Sequence, residues 1–176
     1  MKNIIVVSAS ADPTVQSVIV GLRRSIAEEG CGAESMRWNM LASEHSQGCA
    51  SCSMDEQCSQ ADRVDMAVQR IKAADASVFL IDASAVSDAS AWMPLLKGLQ
   101  NEPVLVFKPR YLVLMTQTSA MLAAQMAGLI QDAAQKLQVG WSSITLMCTG
   151  SLEQCQAQAV ALGGQWAKRL TSSAPG

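Results

Sequence analysis

The stretch Asn3-Ile4-Ile5-Val6-Val7-Ser8-Ala9-Ser10-Ala11-Asp12-Pro13-Thr14-Val15-Gln16-Ser17 carries the chain from one kind of periodicity to another. Its first part, Asn3–Ser8, is a short unbroken apolar run rich in Ile and Val, as in a strand covered on both faces. Val15, Val18, Ile19, Leu22 and Ile26 then recur at helical spacing up to Gly30, a natural C-cap. Between strand and helix lie the hydroxyls of Ser8, Ser10, Thr14 and Ser17 and the amide of Gln16. A helix N-terminus adds unpaired backbone N–H groups and a partial positive charge, which suit a phosphate. The stretch has neither G-x-x-x-x-G-K-[ST] nor G-x-G-x-x-G, so neither a magnesium-bound triphosphate nor a dinucleotide pyrophosphate is expected there. Two readings remain. The loop holds one terminal monophosphate through Ser8, Ser10, Thr14, Gln16 and Ser17, or it is a plain βα turn capped by Asp12 or Thr14.

Outward from this stretch the pattern keeps alternating. Residues 33–38 read as a second strand, and residues 39–60, rich in Ser, Gln and Cys without periodicity, as a long loop. Val64, Val68 and Ile71 return to helical spacing, and residues 77–81 form a third apolar strand. A small-residue loop through Ala91 then leads to a short helix over 94–100, with Pro94 in its first turn. Pro109 places the fourth strand at 111–116. A helix over 119–138 follows, with Leu122, Met126, Leu129, Ala133 and Leu137 on one face, and then a fifth strand over 142–148. Ser151 and Gln154 form a capping-box pair that opens a helix with Leu152, Cys155, Leu162 and Trp166 inward; from Thr171 the chain reads as frayed. Strands alternating with helices in this way predict a doubly wound α/β three-layer sandwich of flavodoxin-like type, its five-stranded parallel sheet ordered 2-1-3-4-5. Ligands in that order sit at the carboxyl ends of the strands, beside the first and third.

The chain has 176 residues, 49% of them hydrophobic, which supplies one core: a single domain over 1–171 with a disordered tail over 172–176. A net charge of −2 gives no electrostatic reason to expect nucleic acid or an anionic membrane. The longest apolar runs, such as 111–115, are of strand length rather than membrane-spanning length. Residues 4–7 are too short for the apolar core of a signal peptide, and Asp12 follows closely, so a cytoplasmic location is expected. There thiols stay reduced, and the scattered Cys31, Cys148 and Cys155 read as small core residues. Cys49-x-x-Cys52 opens with ligand-like spacing, and Cys58 follows; zinc would want a fourth ligand, and the only histidine, His45, lies four residues upstream of Cys49. A metal site, a redox-active loop and a vestigial one all remain open. Trp92 either stacks on a ligand or packs on the following helix, His45 reads as a solvated loop residue, and Arg23-Arg24 as the solvated face of the first helix.

Several short motifs point to one group of proteins. Ser8, Ser10, Gln16 and Ser17 fall, without a gap, on the positions of an S-G-S-P-R-x-x-x-N-T loop. Gly48-Cys49-x-x-Cys52 is similar to C-x-G-C, Asp62-Arg63-Val64-Asp65-Met66 to D-D-M, and Ala161-Leu162-Gly163 to a closing A-x-x-L-G; Ala74-Asp75-Ala76 leading into the third strand fits as well. Over nearly its whole length the chain thus resembles the NADPH-dependent FMN reductases and their iron–sulfur flavoprotein relatives. The resemblance implies an FMN-binding, NAD(P)H-dependent oxidoreductase or electron-transfer flavoprotein, with NADPH or NADH as co-substrate and a small-molecule acceptor or redox protein as partner. It implies a phosphate site at Ser8, Ser10, Gln16 and Ser17, and a flavin ring framed by Ala83, Ser84, Ala85 and Val86 and by Thr116, Gln117, Thr118 and Ser119. No acid–base residue is required, because hydride passes directly between nicotinamide and flavin. Such reductases form dimers, so a homodimer is expected, with the apolar helix over 91–100 compatible with its interface.

Four departures accompany these matches. Asp12 stands where the family has Arg, and a carboxylate at ~4 Å from a phosphate charge costs roughly 4 kcal/mol at an effective dielectric of about 20. The segment from Asp82 to Asp88 lacks the family's aromatic, and Thr116-Gln117-Thr118-Ser119 replaces T-G-G. In the iron–sulfur relatives four cysteines hold a [4Fe–4S] cluster; here Cys49, Cys52 and Cys58 leave Asp55 in the place of the third. A flavin-free binding or partner module, and a cluster-bearing electron carrier, are therefore the alternative readings.

Overall fold

The strand that opens the chain is buried from its second residue to its last and is paired on both sides. The computed structural model describes residues 1–40, 56–82, 87–100, 108–116, 141–148 and 151–172, with Gln125, Gly128, Gln131, Asp132 and Gln135. β1 (Asn3–Ser8) lies between β2 (Gly32–Arg37) and β3 (Ala76–Asp82), parallel to both, with Ile4 opposite Ala33 on one side and Ala76 on the other. β4 (Arg110–Thr116) and β5 (Ser143–Cys148) extend the sheet, giving the expected parallel order 2-1-3-4-5. A central parallel strand must be apolar on both faces. Here alternate residues divide between two cores: Ile5, Val7, Phe79, Ile81, Leu112 and Leu114 face α2 (Glu56–Ala73) and α3 (Ser87–Gln100). Ile4, Val6, Val78, Leu80, Val113 and Met115 face α1 (Pro13–Glu28) and α4 (Leu152–Ser172).

The helix ends follow local chemistry. Gly30 adopts φ 77°, and its N–H donates to Ala27 O while that of Cys31 donates to Ile26 O, the paired bonds of a Schellman closure. Ser151 N–H donates to Gln154 Oε1 and Gln154 N–H to Ser151 Oγ, both at 3.2 Å, so the capping box of α4 forms as read. Where α1 crosses α4 the contact is made by small residues: Gly21 faces Ala159, and Gly163 sits over Leu22 and Ser25.

Several elements differ from the sequence expectation. α2 begins at Glu56, so Cys58 lies on a helix rather than in a loop extending to residue 60. α3 begins at Ser87, well before the expected residue 94, and Pro94 sits inside it. An interior proline forfeits a hydrogen bond at a cost of about 3 kcal/mol. That cost is outweighed by the burial of Trp92, Leu95, Leu96 and Leu99, which share one face of the helix. Trp92 is thus a core residue at 1% exposure, with ring centroids 6.1 Å from Phe79 and 6.3 Å from Trp38. The apolar side of this helix, Trp92, Leu95, Leu96 and Leu99, faces the interior. In α4, Leu152 is 50% exposed, and the inward stripe starts at Cys155 and runs through Ala159, Gly163, Trp166, Ala167 and Leu170. The helix continues to Ser172, which makes Thr171 and Ser172 its last turn rather than a tail. Gln125, Gly128, Gln131, Asp132 and Gln135 are helical and exposed, the outward positions of the helix expected over 119–138. Leu122, Met126, Leu129, Ala133 and Leu137, expected on its inner face, lie outside the described residues. Among the described residues no helix is long and apolar enough to cross a membrane.

Candidate functional site

In this strand order the chain leaves β1 for β2 on one side of the sheet and returns to β3 on the other. The carboxyl ends of β1 and β3 therefore open a crevice where this architecture places its ligands. Ser8 ends β1, buried, in register with Arg37 of β2 and Leu80 of β3. Ala9 is tethered from the side: Asn39, just past β2, donates from Nδ2 to its carbonyl at 3.0 Å. Arg63 of α2 in turn donates from Nη1 to the Asn39 carbonyl at 3.5 Å. Asn39 Oδ1, Arg63 Nε and the neighbouring Trp38 Nε1 are buried without a partner among the described residues. Sequence reading missed the Asn39 tether, since nothing in the sequence near residue 39 indicates that its partner is the loop after β1.

The loop itself is closed by its own groups. Asp12 is the N-cap of α1, and its Oδ1 accepts from Thr14 N–H at 2.7 Å and Val15 N–H at 3.3 Å. Pro13 follows at the first helical position, where a missing N–H costs nothing. Asp12 N–H donates to Ser10 Oγ at 3.1 Å, and Gln16 Nε2 donates to the Ser10 carbonyl at 2.9 Å. Ser17 faces the other way: Gln156 of α4 donates from Nε2 to Ser17 Oγ. Of the residues read as a phosphate cradle, Ser10, Thr14 and Gln16 gather at the loop, Ser8 lies buried beneath it, and Ser17 belongs to the crossing of α1 with α4. Asp12 is the cap, one of the two residues named for that role.

A flavin mononucleotide would bring its terminal phosphate to this helix N-terminus. The amides that would receive it, those of Thr14 and Val15, already face a carboxylate. The residues present do not fit a terminal phosphate. On the ring side, Thr116 closes β4, whereas Ala83, Ser84, Ala85, Val86, Gln117, Thr118 and Ser119 lie outside the described residues. So do Cys49, Cys52, His45 and Asp55, while Cys58 is placed on α2. Among the described residues no three His, Cys, Asp or Glu side chains gather as a metal site.

Groups with displaced titration lie elsewhere. Asn3 N–H at 2.8 Å and the Lys2 ammonium hold the Asp75 carboxyl below its ordinary range. Burial pushes the Cys31 thiol up, reinforced by the charges of Asp75 and Glu29. Burial lowers Arg110 and raises Tyr111, whose ring stacks on Trp166 with centroids 4.7 Å apart. All four residues sit toward the amino ends of the strands, opposite the crevice.

No known family model matches the sequence, and no curated protein matches it. Solved structures do share its architecture. A flavodoxin from Streptococcus pneumonia TIGR4 superposes with a TM-score of 0.61 at 9% identity, covering 98% of this chain and 99% of that one. The two-electron reduced flavodoxin of Megasphaera elsdenii gives 0.59 at 12% identity, covering 94% and 98%. An NAD(P)H:quinone oxidoreductase from Methanothermobacter marburgensis gives 0.52 at 14% identity, covering 96% and 98%. At such identities the likeness is one of architecture, and it agrees with the strand order: the chain has the flavodoxin-like fold.

Proposed function

We propose that the chain is a flavin-binding redox domain, acting as an NAD(P)H-dependent oxidoreductase or an electron-transfer flavoprotein. The observation that supports this reading is the switch point beside β1 and β3, onto which the loop from Ser8 to Asp12 opens. A bound flavin supplies the hydride and electron chemistry, and the protein supplies position and electrostatics. In this reading Ser8, Ser10 and Ala9, tethered by Asn39, would lie beneath the ligand at the end of β1, and residues 83–86 and 116–119 would flank the ring. FMN is the flavin that the resemblance to the reductases implies. NADPH or NADH is then the reductant, and a small-molecule acceptor or redox protein takes the electrons, in a cytoplasmic protein that works as a homodimer. The absorption spectrum of the purified chain tests the reading: yellow flavin absorbance, or its appearance with an upward thermal shift on adding flavin, is the expected result. A second reading, a flavin-free binding or partner module, is favoured by the carboxylate of Asp12 on the amides of α1. A colourless protein that no flavin stabilises decides for it.

A further inference from the structure

We propose that Asp12 sets the ligand class of the crevice: a flavin without a terminal phosphate, of the riboflavin type, in preference to FMN. The inference rests on the flavin reading above and refines it. Three observations carry it. The Thr14 and Val15 amides, which a phosphate at this helix N-terminus would need, are held by Asp12 Oδ1 at 2.7 and 3.3 Å. Around them three further donors are engaged internally: Asp12 N–H with Ser10 Oγ, Gln16 Nε2 with the Ser10 carbonyl, and Gln156 Nε2 with Ser17. Arg63 of α2, which reaches toward this end of the sheet, donates to the carbonyl of Asn39 and not to the loop. A phosphate entering here must either sit beside the carboxylate or displace it and uncap α1. A neutral ribityl chain meets neither obstacle, and it is rich in hydroxyls that can pair with Ser10 and the Ala9 region.

The test is a pair of fluorescence titrations of the full chain, with riboflavin and with FMN, on the wild type and Asp12→Asn. Asparagine caps a helix as well as aspartate, so the variant removes charge while keeping the cap. The wild type is expected to bind riboflavin at least about tenfold more tightly than FMN. In Asp12→Asn that gap is expected to narrow through a gain in FMN affinity, with riboflavin affinity little changed. FMN binding as tightly as riboflavin to the wild type, or a gap that Asp12→Asn leaves unaltered, overturns the inference while leaving the flavin reading standing. Failure of both ligands to bind overturns the flavin reading and this inference with it. Should the variant not fold, the wild type alone answers. Its melting temperature in sodium phosphate, against sodium chloride of equal ionic strength, is expected to be unchanged, and stabilisation by phosphate overturns the proposal.

Discussion

Gly163 offers a sharp test of how α1 and α4 hold the sheet. A Cβ at this position would fall on Ser25 Oγ and lie 2.9 Å from the Leu22 carbonyl oxygen and 3.4 Å from Ile26 Cγ1. Ser25 is only 3% exposed, and its hydroxyl donates to the Leu22 carbonyl at 3.0 Å, so it cannot turn away without losing that bond. The Leu22 carbonyl is backbone, so α1 and α4 must separate. Overpacking of this kind costs about 1–3 kcal/mol, and the strained Ser25 bond adds about 1 kcal/mol. Against them, alanine gains about 1 kcal/mol over glycine inside a helix. Gly163→Ala is therefore expected to destabilise the chain by about 1–3 kcal/mol, read from urea midpoints at constant m. Gly164→Ala is the control within the same helix turn, because its Cβ meets only Glu29 Oε1 at 3.8 Å. There propensity acts alone, and a gain of up to about 1 kcal/mol is expected. Adding Ser25→Ala to Gly163→Ala removes one of the two close contacts and is expected to return about 1 kcal/mol beyond additivity. A Gly163→Ala variant as stable as the wild type, or a shift in the same direction for both glycines, would refute the close-crossing account.

Asp75 is expected to shape the acid limb of stability. Its folded carboxyl titrates below the ordinary value of 3.8, held there first by Asn3 N–H and then by Lys2. Its contribution is complete above that value and disappears as pH falls through the lower folded one. Asp75→Asn should cost about 1 kcal/mol near neutrality, discounted because the group is partly exposed, and its urea midpoint should converge on the wild type only in acid. A difference that persists undiminished in acid contradicts this assignment. Cys31 and Cys155 are 4% and 0% exposed, with thiols raised by burial. Peptide mapping after iodoacetamide treatment should find both unlabelled in the native chain and labelled in urea. Trp92→Ala should cost about 3–5 kcal/mol, and Trp92→Phe distinctly less, since it keeps a ring between Phe79 and Trp38. Equal small losses for the two would mean that the ring is not core.

The strands were legible because a buried parallel strand leaves an unbroken apolar run, as residues 4–7 and 78–81 do. α3 was shortened in the reading because Pro94 resembles a first-turn proline. Yet Trp92, Leu95, Leu96 and Leu99 stand at i, i+3, i+4 and i+7, a spacing that already asked for a helix upstream of the proline. In α4 the large apolar residues misled. Leu152 projects from the first turn, whereas the seam against α1 is carried by Ala159, Gly163 and Ala167 at four-residue spacing. Close helix approach selects small side chains, and hydrophobicity alone does not mark them. Capping was legible at Ser151 and Gln154, and at α1 it was narrowed to Asp12 or Thr14; in both places every partner lies within three residues.

At the candidate site that distinction between near and distant partners decides what the hydroxyls after β1 can do. Ser8, Ser10, Thr14 and Ser17, counted along the chain, suggest a cradle of donors. In space, Ser17 is engaged by Gln156, 139 residues away, and Ser10 serves the turn itself. Asp-Pro-Thr-Val, by contrast, states its own structure: an acceptor at the N-cap, a proline at the first helical position, then the two amides the acceptor serves. A helix N-terminus that carries its own carboxylate has its positive end already answered. The crevice at the end of β1 thus keeps the position at which this fold binds its ligands while losing the charge preference that the same position has when its amides are bare. It follows that the opening loop gives no preference for an anionic terminal group, and selectivity at this crevice must come from contacts to the uncharged part of a ligand.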